Sequence, residues 1–176
     1  MWVFWGTLTL TLLLQFGIPL VSKRYGAAVE ARFVERLKPI PEPQPVALDL
    51  PNLKNWFVAN PASARGYASP VLWPLDFVFM FALAAATASG AVLAAPHVGW
   101  VSGWPWWMWC IFPAIYLAAD FVEDVLLLSF LRNPASLSRG NYGVLSTTTR
   151  IKIVFAIAAI IVASILIVAA HLLPLA

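Results

Sequence analysis

Charge is scarce in this chain. Only 11% of its 176 residues are Asp, Glu, Lys or Arg, against about 25% in ordinary soluble domains. So few charges cannot cover the surface of a soluble globule of this length. Cysteine is nearly absent: Cys110 stands alone, which excludes an internal disulfide and a cysteine metal cluster. Histidine is limited to His97 and His171. The chain has no HExxH, no GxSxG and no phosphate-binding glycine loop. Ser and His form no recognisable triad, and the Glu-x-x-His pairs of a di-iron bundle are missing. The expectation is a non-enzymatic protein without a cofactor. The pI near 9.3 does not point to nucleic acid, because membrane topology accounts for the bases.

What is present is apolar length. The chain is 61% hydrophobic with a mean hydropathy of +0.83. About 20 apolar residues cross a bilayer, and four stretches qualify: about 2–21, 71–95, 104–131 and 151–173. They predict an all-α membrane protein, a single membrane domain over residues 1–176 with four transmembrane helices. The first stretch has no Lys or Arg before it and Ser22-Lys23-Arg24 behind it, so it reads as a retained helix and not a cleaved signal. Residues 24–38 repeat Val29, Phe33 and Leu37 at four-residue spacing opposite Arg32, Glu35 and Arg36. That pattern predicts an amphipathic helix, either on the cytoplasmic membrane surface or as a cytoplasmic extension of the first helix. The prolines of PIPEPQP end it in an extended spacer. Leu50, Leu53, Trp56 and Phe57 suit a short packed helix, and Asn60-Pro61 a helix start. The Ala, Ser and Gly of ALAAATASGAVLAA predict close helix approach in the second span. Trp104, Trp106, Trp107 and Trp109 predict an interfacial aromatic belt. Thr147, Thr148 or Thr149 are candidate caps for the fourth span.

The bases fix the expected topology. Lys23, Arg24, Arg32, Arg36, Lys38, Lys54 and Arg65 lie in the first loop, 22–70, while Arg132, Arg139, Arg150 and Lys152 lie at the third, 132–150. Those are all eleven. With four spans both loops share one side, and the positive-inside rule makes it the cytoplasm. Both termini are then outside. The two loops also echo each other, with Asn60-Pro61-Ala62-Ser63 and Asn133-Pro134-Ala135-Ser136 each followed by Arg-Gly and Tyr.

Asp120, Glu123 and Asp124 interrupt the third apolar stretch. Each would cost roughly 2.5–3.5 kcal/mol or more if charged and lipid-facing at the bilayer centre. Asp120 and Asp124, four apart, share a helix face. They lie about 16–22 Å below Trp109 by helical rise, in the cytoplasmic half. Asp76, in the first turns of the second span, occupies the same leaflet. The four acids form a candidate intramembrane cluster, with Arg65, Arg132, Arg150 and Lys152 as candidate ion-pair partners. Its structural reading is a network that pins spans two, three and four. Its functional reading is a proton relay or a cation or headgroup site. His97 and His171, both near the outer face, are candidate ligands for a haem or chlorin.

The stretches ARGYASPVLWPLDFVFM and PAIYLAADFVEDVLLLSFL resemble a loose group of small bacterial four-span integral membrane proteins. That group shows Gly-Arg-x-x-Tyr before a span with an early Asp, then a Pro and an Ala-Asp-x-x-Glu-Asn/Asp pattern in the third span. Arg65, Tyr67, Asp76, Pro113, Asp120, Glu123 and Asp124 are the matching positions. The first motif departs, reading Ala64-Arg65-Gly66-Tyr67. The resemblance covers about a third of the chain and implies a bacterial inner-membrane setting and a shared role for the acids. Small size and abundant Trp and Phe point to an accessory or assembly subunit that meets the lipid bilayer and other membrane subunits. The alternatives are a small proton or ion conduit using the acids, and a lipid- or pigment-binding protein.

Overall fold

The computed structural model describes residues 1–25 and 50–172, and its described elements are all helical. The chain forms α1 (Trp2–Tyr25), α2 (Leu50–Ala59) and α3 (Pro61–Gly66). A distorted segment, Tyr67–Asp76, leads into α4 (Phe77–Ala94). Short 3-10 turns at Ala95–His97 and Trp106–Cys110 lead to α5 (Ile111–Arg132). A last 3-10 turn, Pro134–Ser136, precedes α6 (Arg139–Leu172). The amphipathic stretch expected at 24–38 and the proline spacer lie outside the described residues, apart from the end of α1.

Three of these stretches are long and apolar enough to cross a membrane: Trp2–Arg24, Pro61–His97 and Arg139–Leu172. Their apolar windows differ in burial, at 6%, 44% and 17% respectively. The middle one is therefore the hub, and α1 is peripheral. Helix α4 packs against α1, α5 and α6, while α5 and α6 form the most extensive pair. The small residues explain the hub. Ala84, Ala91 and Ala94 are buried in it, and Ser89 and Thr87 return their hydroxyls to the carbonyls of Ala85 (2.6 Å) and Leu83 (2.8 Å). At Gly90 a Cβ would sit 2.9 Å from Phe4 Cε2 and 3.3 Å from Ile167 Cδ1. Only a hydrogen there lets α1, α4 and α6 come this close.

The second apolar stretch is not one continuous helix from Val71. Ser69 (φ −150°, ψ 122°) and Trp73 (φ −112°, ψ 118°) are extended. Each precedes a proline, whose ring disfavours the α region for the residue before it. Regular helix starts only at Phe77, with Asp76 at its N-terminal boundary. The break packs against α1, α4 and α5. Beside it, between α1 and α4, a groove of about 440 Å³ is lined by Thr7, Leu10, Trp73, Phe77 and Phe81.

Helix α6 begins at Arg139, earlier than the polar composition of 139–150 suggests. Its 34 residues span about 51 Å by helical rise. That is longer than a hydrocarbon core, which is about 30 Å thick. Thr147, Thr148 and Thr149 thus lie inside the helix and do not cap it.

The bundle is layered. At one end Phe57, Leu72, Leu127, Phe130, Leu137 and Leu145 form one apolar cluster. Met80, Ala84 and Tyr116 form a middle one. Ala91, Val98, Val101, Ala163 and Leu166 close the far end. Phe57 on α2, 1% exposed, shows that this short helix packs on the bundle. Trp104 stacks on Trp109 with centroids 5.5 Å apart, and Trp100, Trp106 and Trp107 are exposed around them.

Candidate functional site

On α5 the acids fall between the middle apolar cluster, which holds Tyr116, and the end cluster, which holds Leu127 and Phe130. Asp120, Glu123 and Asp124 are 2%, 5% and 1% exposed. Spacings of three and four keep them on the face turned toward α4 and α6. A helix cannot bury three acids here without an internal partner, and α6 supplies one. Lys152 Nζ lies 3.0 Å from Asp120 Oδ1 and 2.6 Å from Glu123 Oε2. Thr149, one turn before Lys152 on the same face, places Oγ1 2.8 Å from Glu123 Oε1 and 2.9 Å from the Leu145 carbonyl. Its single hydroxyl proton serves one of these at a time. The cluster therefore ties α5 to α6 through one ammonium and one hydroxyl.

Asp124 is different. Both of its oxygens are buried and neither accepts a hydrogen bond. Its charged neighbours are Asp76, Asp120, Glu123 and Lys152. Asp76 is half-buried and reaches this group from the start of α4. The Tyr116 hydroxyl, one turn from Asp120, interacts with Asp120, Lys152 and Asp76 through charge, yet makes no well-angled hydrogen bond. Four carboxylates thus gather around one ammonium.

The structure brings together all four candidate acids and one of the four candidate bases. Arg65, Arg132 and Arg150 are exposed, and none forms an ion pair with an acid among the described residues. Arg65 Nε instead donates to the Pro61 carbonyl at 3.3 Å. Tyr116, which the sequence reading passed over, and Thr149, which it took only as a candidate cap, belong to the site. Their signal is spacing: Tyr116 is four before Asp120, and Thr149 three before Lys152.

His97 and His171 are both exposed. His171 Nδ1 lies 2.8 Å from the Ile167 carbonyl, a contact that fixes Nδ1 as the protonated nitrogen and leaves Nε2 outward. Among the described residues, no three His, Cys, Asp or Glu side chains converge as a metal-binding group. The two Asn-Pro segments of the loops diverge in detail. Asn60 Nδ2 donates back to the Trp56 carbonyl (2.8 Å) ahead of an α-helix, whereas Asn133 Oδ1 accepts from Ala135 N–H (3.1 Å) at a 3-10 turn. Comparison with protein-family models, curated proteins and solved structures gives no match.

Proposed function

We propose that the chain is a non-enzymatic accessory or assembly subunit of a larger membrane complex in a bacterial inner membrane. In this reading α5 is a fourth crossing, and both termini lie outside the cytoplasm. The observation that carries it is the placement of the polar groups. Lys152, Asp120, Glu123 and Thr149 are engaged with one another inside the bundle, between apolar layers at either side. The outward faces are aliphatic and aromatic, with Trp2, Trp5 and Phe16 on α1 and Trp106 and Trp107 beside α5. Such faces suit flat packing against lipid and neighbouring helices. The acids on α5 lose most of their membrane cost once Lys152 shares their depth. The eleven bases supply the orientation. Purification of the full chain in mild detergent, followed by mass spectrometry, tests this. A stoichiometric membrane partner is expected, and a monodisperse chain that brings nothing with it overturns the reading.

A second reading, a small proton or ion conduit using Asp76, Asp120, Glu123 and Asp124, is favoured by one observation. The Asp124 carboxylate lies beside a proline-broken helix with neither oxygen satisfied. Proton flux into liposomes holding the purified chain supports it, and flux equal to that of empty liposomes sinks it.

A further inference from the structure

Helix α6 turns one long face away from the bundle. Arg139 and Arg150 share that face, because their separation is close to three whole turns. Gly143 and Ser146 fall within about 40° of Arg150 on it, by the same helical geometry. Val154, Ile157, Ile161 and Val168 continue it toward the far end, and each is at least half exposed. Arg150 is exposed and makes neither a hydrogen bond nor an ion pair among the described residues. Ser146, one turn before Arg150, differs from the threonines that follow it. Thr147, Thr148 and Thr149 turn their hydroxyls onto the carbonyls of Gly143, Val144 and Leu145 at 2.9, 3.0 and 2.9 Å. The Ser146 hydroxyl makes no hydrogen bond among the described residues. At Gly143 a Cβ would meet nothing within 4 Å, so the helix backbone lies open there. No Asp or Glu occurs in α6, and no charged residue lies between Lys152 and His171. A guanidinium, a hydroxyl and open backbone therefore stand at the foot of an apolar strip.

We propose that this face of α6 binds an anionic phospholipid. The phosphodiester sits on Arg150 and Ser146, the headgroup covers Gly143, and an acyl chain follows Val154, Ile157 and Ile161. A guanidinium takes a phosphate through two parallel N–H···O bonds, and the Ser146 hydroxyl supplies a further donor. The charge pattern selects the lipid class. A zwitterionic headgroup carries an ammonium, for which α6 offers no acid. Arg139, three turns below on the same face, repels an ammonium and attracts an anionic headgroup. The depth also fits. Arg150 and His171 are roughly 32 Å apart by helical rise, close to the thickness of a hydrocarbon core, about 30 Å. In this arrangement Arg150 stands at the phosphate level of one leaflet. The proposal rests on α6 crossing the bilayer and is independent of the subunit reading.

The test uses the full chain purified in a neutral maltoside detergent. Native mass spectrometry counts the lipid it retains. Phosphatidylglycerol or phosphatidylcholine is then titrated into the micelles while melting is followed by tryptophan fluorescence. A ligand that binds only the folded state raises the melting temperature as its concentration passes the Kd. A saturable rise with phosphatidylglycerol, at one lipid per chain, and none with phosphatidylcholine is expected. Arg150→Ala weakens phosphatidylglycerol binding by at least about fivefold, the weight of one arginine near an anionic surface. Arg150→Lys keeps part of the binding, because an ammonium lacks the two-pronged geometry. Gly143→Leu, which enters open space and folds without lipid, also weakens binding by covering the headgroup position; it decides the matter if Arg150→Ala does not fold. An equal response to both lipids overturns the proposal, as does a phosphatidylglycerol response unchanged in Arg150→Ala and Gly143→Leu. An equal rise with inorganic phosphate assigns the place to a free anion and overturns it too. A photo-crosslinker at Ile157 that captures a protein in cells, with no lipid retained on the purified chain, gives the strip to a protein neighbour and also overturns it.

Discussion

Lys152→Met removes the one ammonium that pairs with these acids among the described residues, while keeping the length of the side chain. The Lys152 side chain is 12% exposed, and those of Asp120 and Glu123 are 3% and 6%, so water has little access to compensate. Breaking a buried ion pair by removing one partner costs about 3–5 kcal/mol, most of it from the charge left behind. For a chain of this size roughly 2–4 °C of melting temperature corresponds to each kcal/mol. The expected fall is therefore about 6–20 °C, measured by tryptophan fluorescence in detergent. The triple variant Lys152→Met, Asp120→Asn, Glu123→Gln also removes the two carboxylates that Lys152 pairs with and should recover more than half of that loss. Arg132→Ala and Arg150→Ala, which remove exposed bases, should stay within about 0.5 kcal/mol of the wild type. A Lys152→Met protein that melts with the wild type, or a triple variant no better than the single one, refutes the internal tie between α5 and α6.

Three further outcomes are expected. Thr149→Val removes the hydroxyl at Glu123 Oε1 and should cost about 1.5–3 kcal/mol, the usual range for a hydrogen bond to a charged group, read in the same melting assay. Gly90→Leu drives a side chain into Phe4 and Ile167 and should cost about 1–3 kcal/mol by overpacking; protease trimming of α1 from the folded protein should accelerate. In a Cys110→Ser background, a cysteine at Ser102 should react with a membrane-impermeant maleimide in intact cells, and one at Ser138 only after lysis. The reverse pattern would invert the proposed topology.

Much of the site was legible because charge inside an apolar run is conspicuous. Asp120, Glu123 and Asp124 announce a buried cluster by composition alone, and i, i+4 spacing puts two of them on one face. Depth brought Asp76 to the same level. Depth could not choose among the bases, since Arg132, Arg150 and Lys152 lie at similar heights. Helical phase makes that choice. Arg150 is two residues from Lys152, about 200° around the helix, so one faces solvent when the other faces α5. That phase depends on α6 running unbroken from Arg139, which the Ser, Thr and Gly of 136–149 conceal. The hub helix was misread in the opposite sense. The apolar run from Val71 suggests a span that starts there, yet Pro70 and Pro74 each push their predecessor out of the α region, so regular helix waits until Phe77. The unsatisfied oxygens of Asp124 are invisible in sequence, because they follow from how three helices meet.

The peripheral position of α1 has a consequence for biogenesis. Its helical partner in the bundle, α4, begins at Phe77. At about 5–20 residues per second, the ribosome delivers that partner about 3–10 s after Tyr25 has been made. During that interval α1 is without α4. It is equipped for the wait: Thr7 and Thr11 close their hydroxyls onto the Val3 and Thr7 carbonyls at 2.8 Å each, and no Asp or Glu lies within it. Helix α1 thus carries no acid that needs a distant partner, whereas the acid-bearing α5 emerges just ahead of the lysine that makes it tolerable.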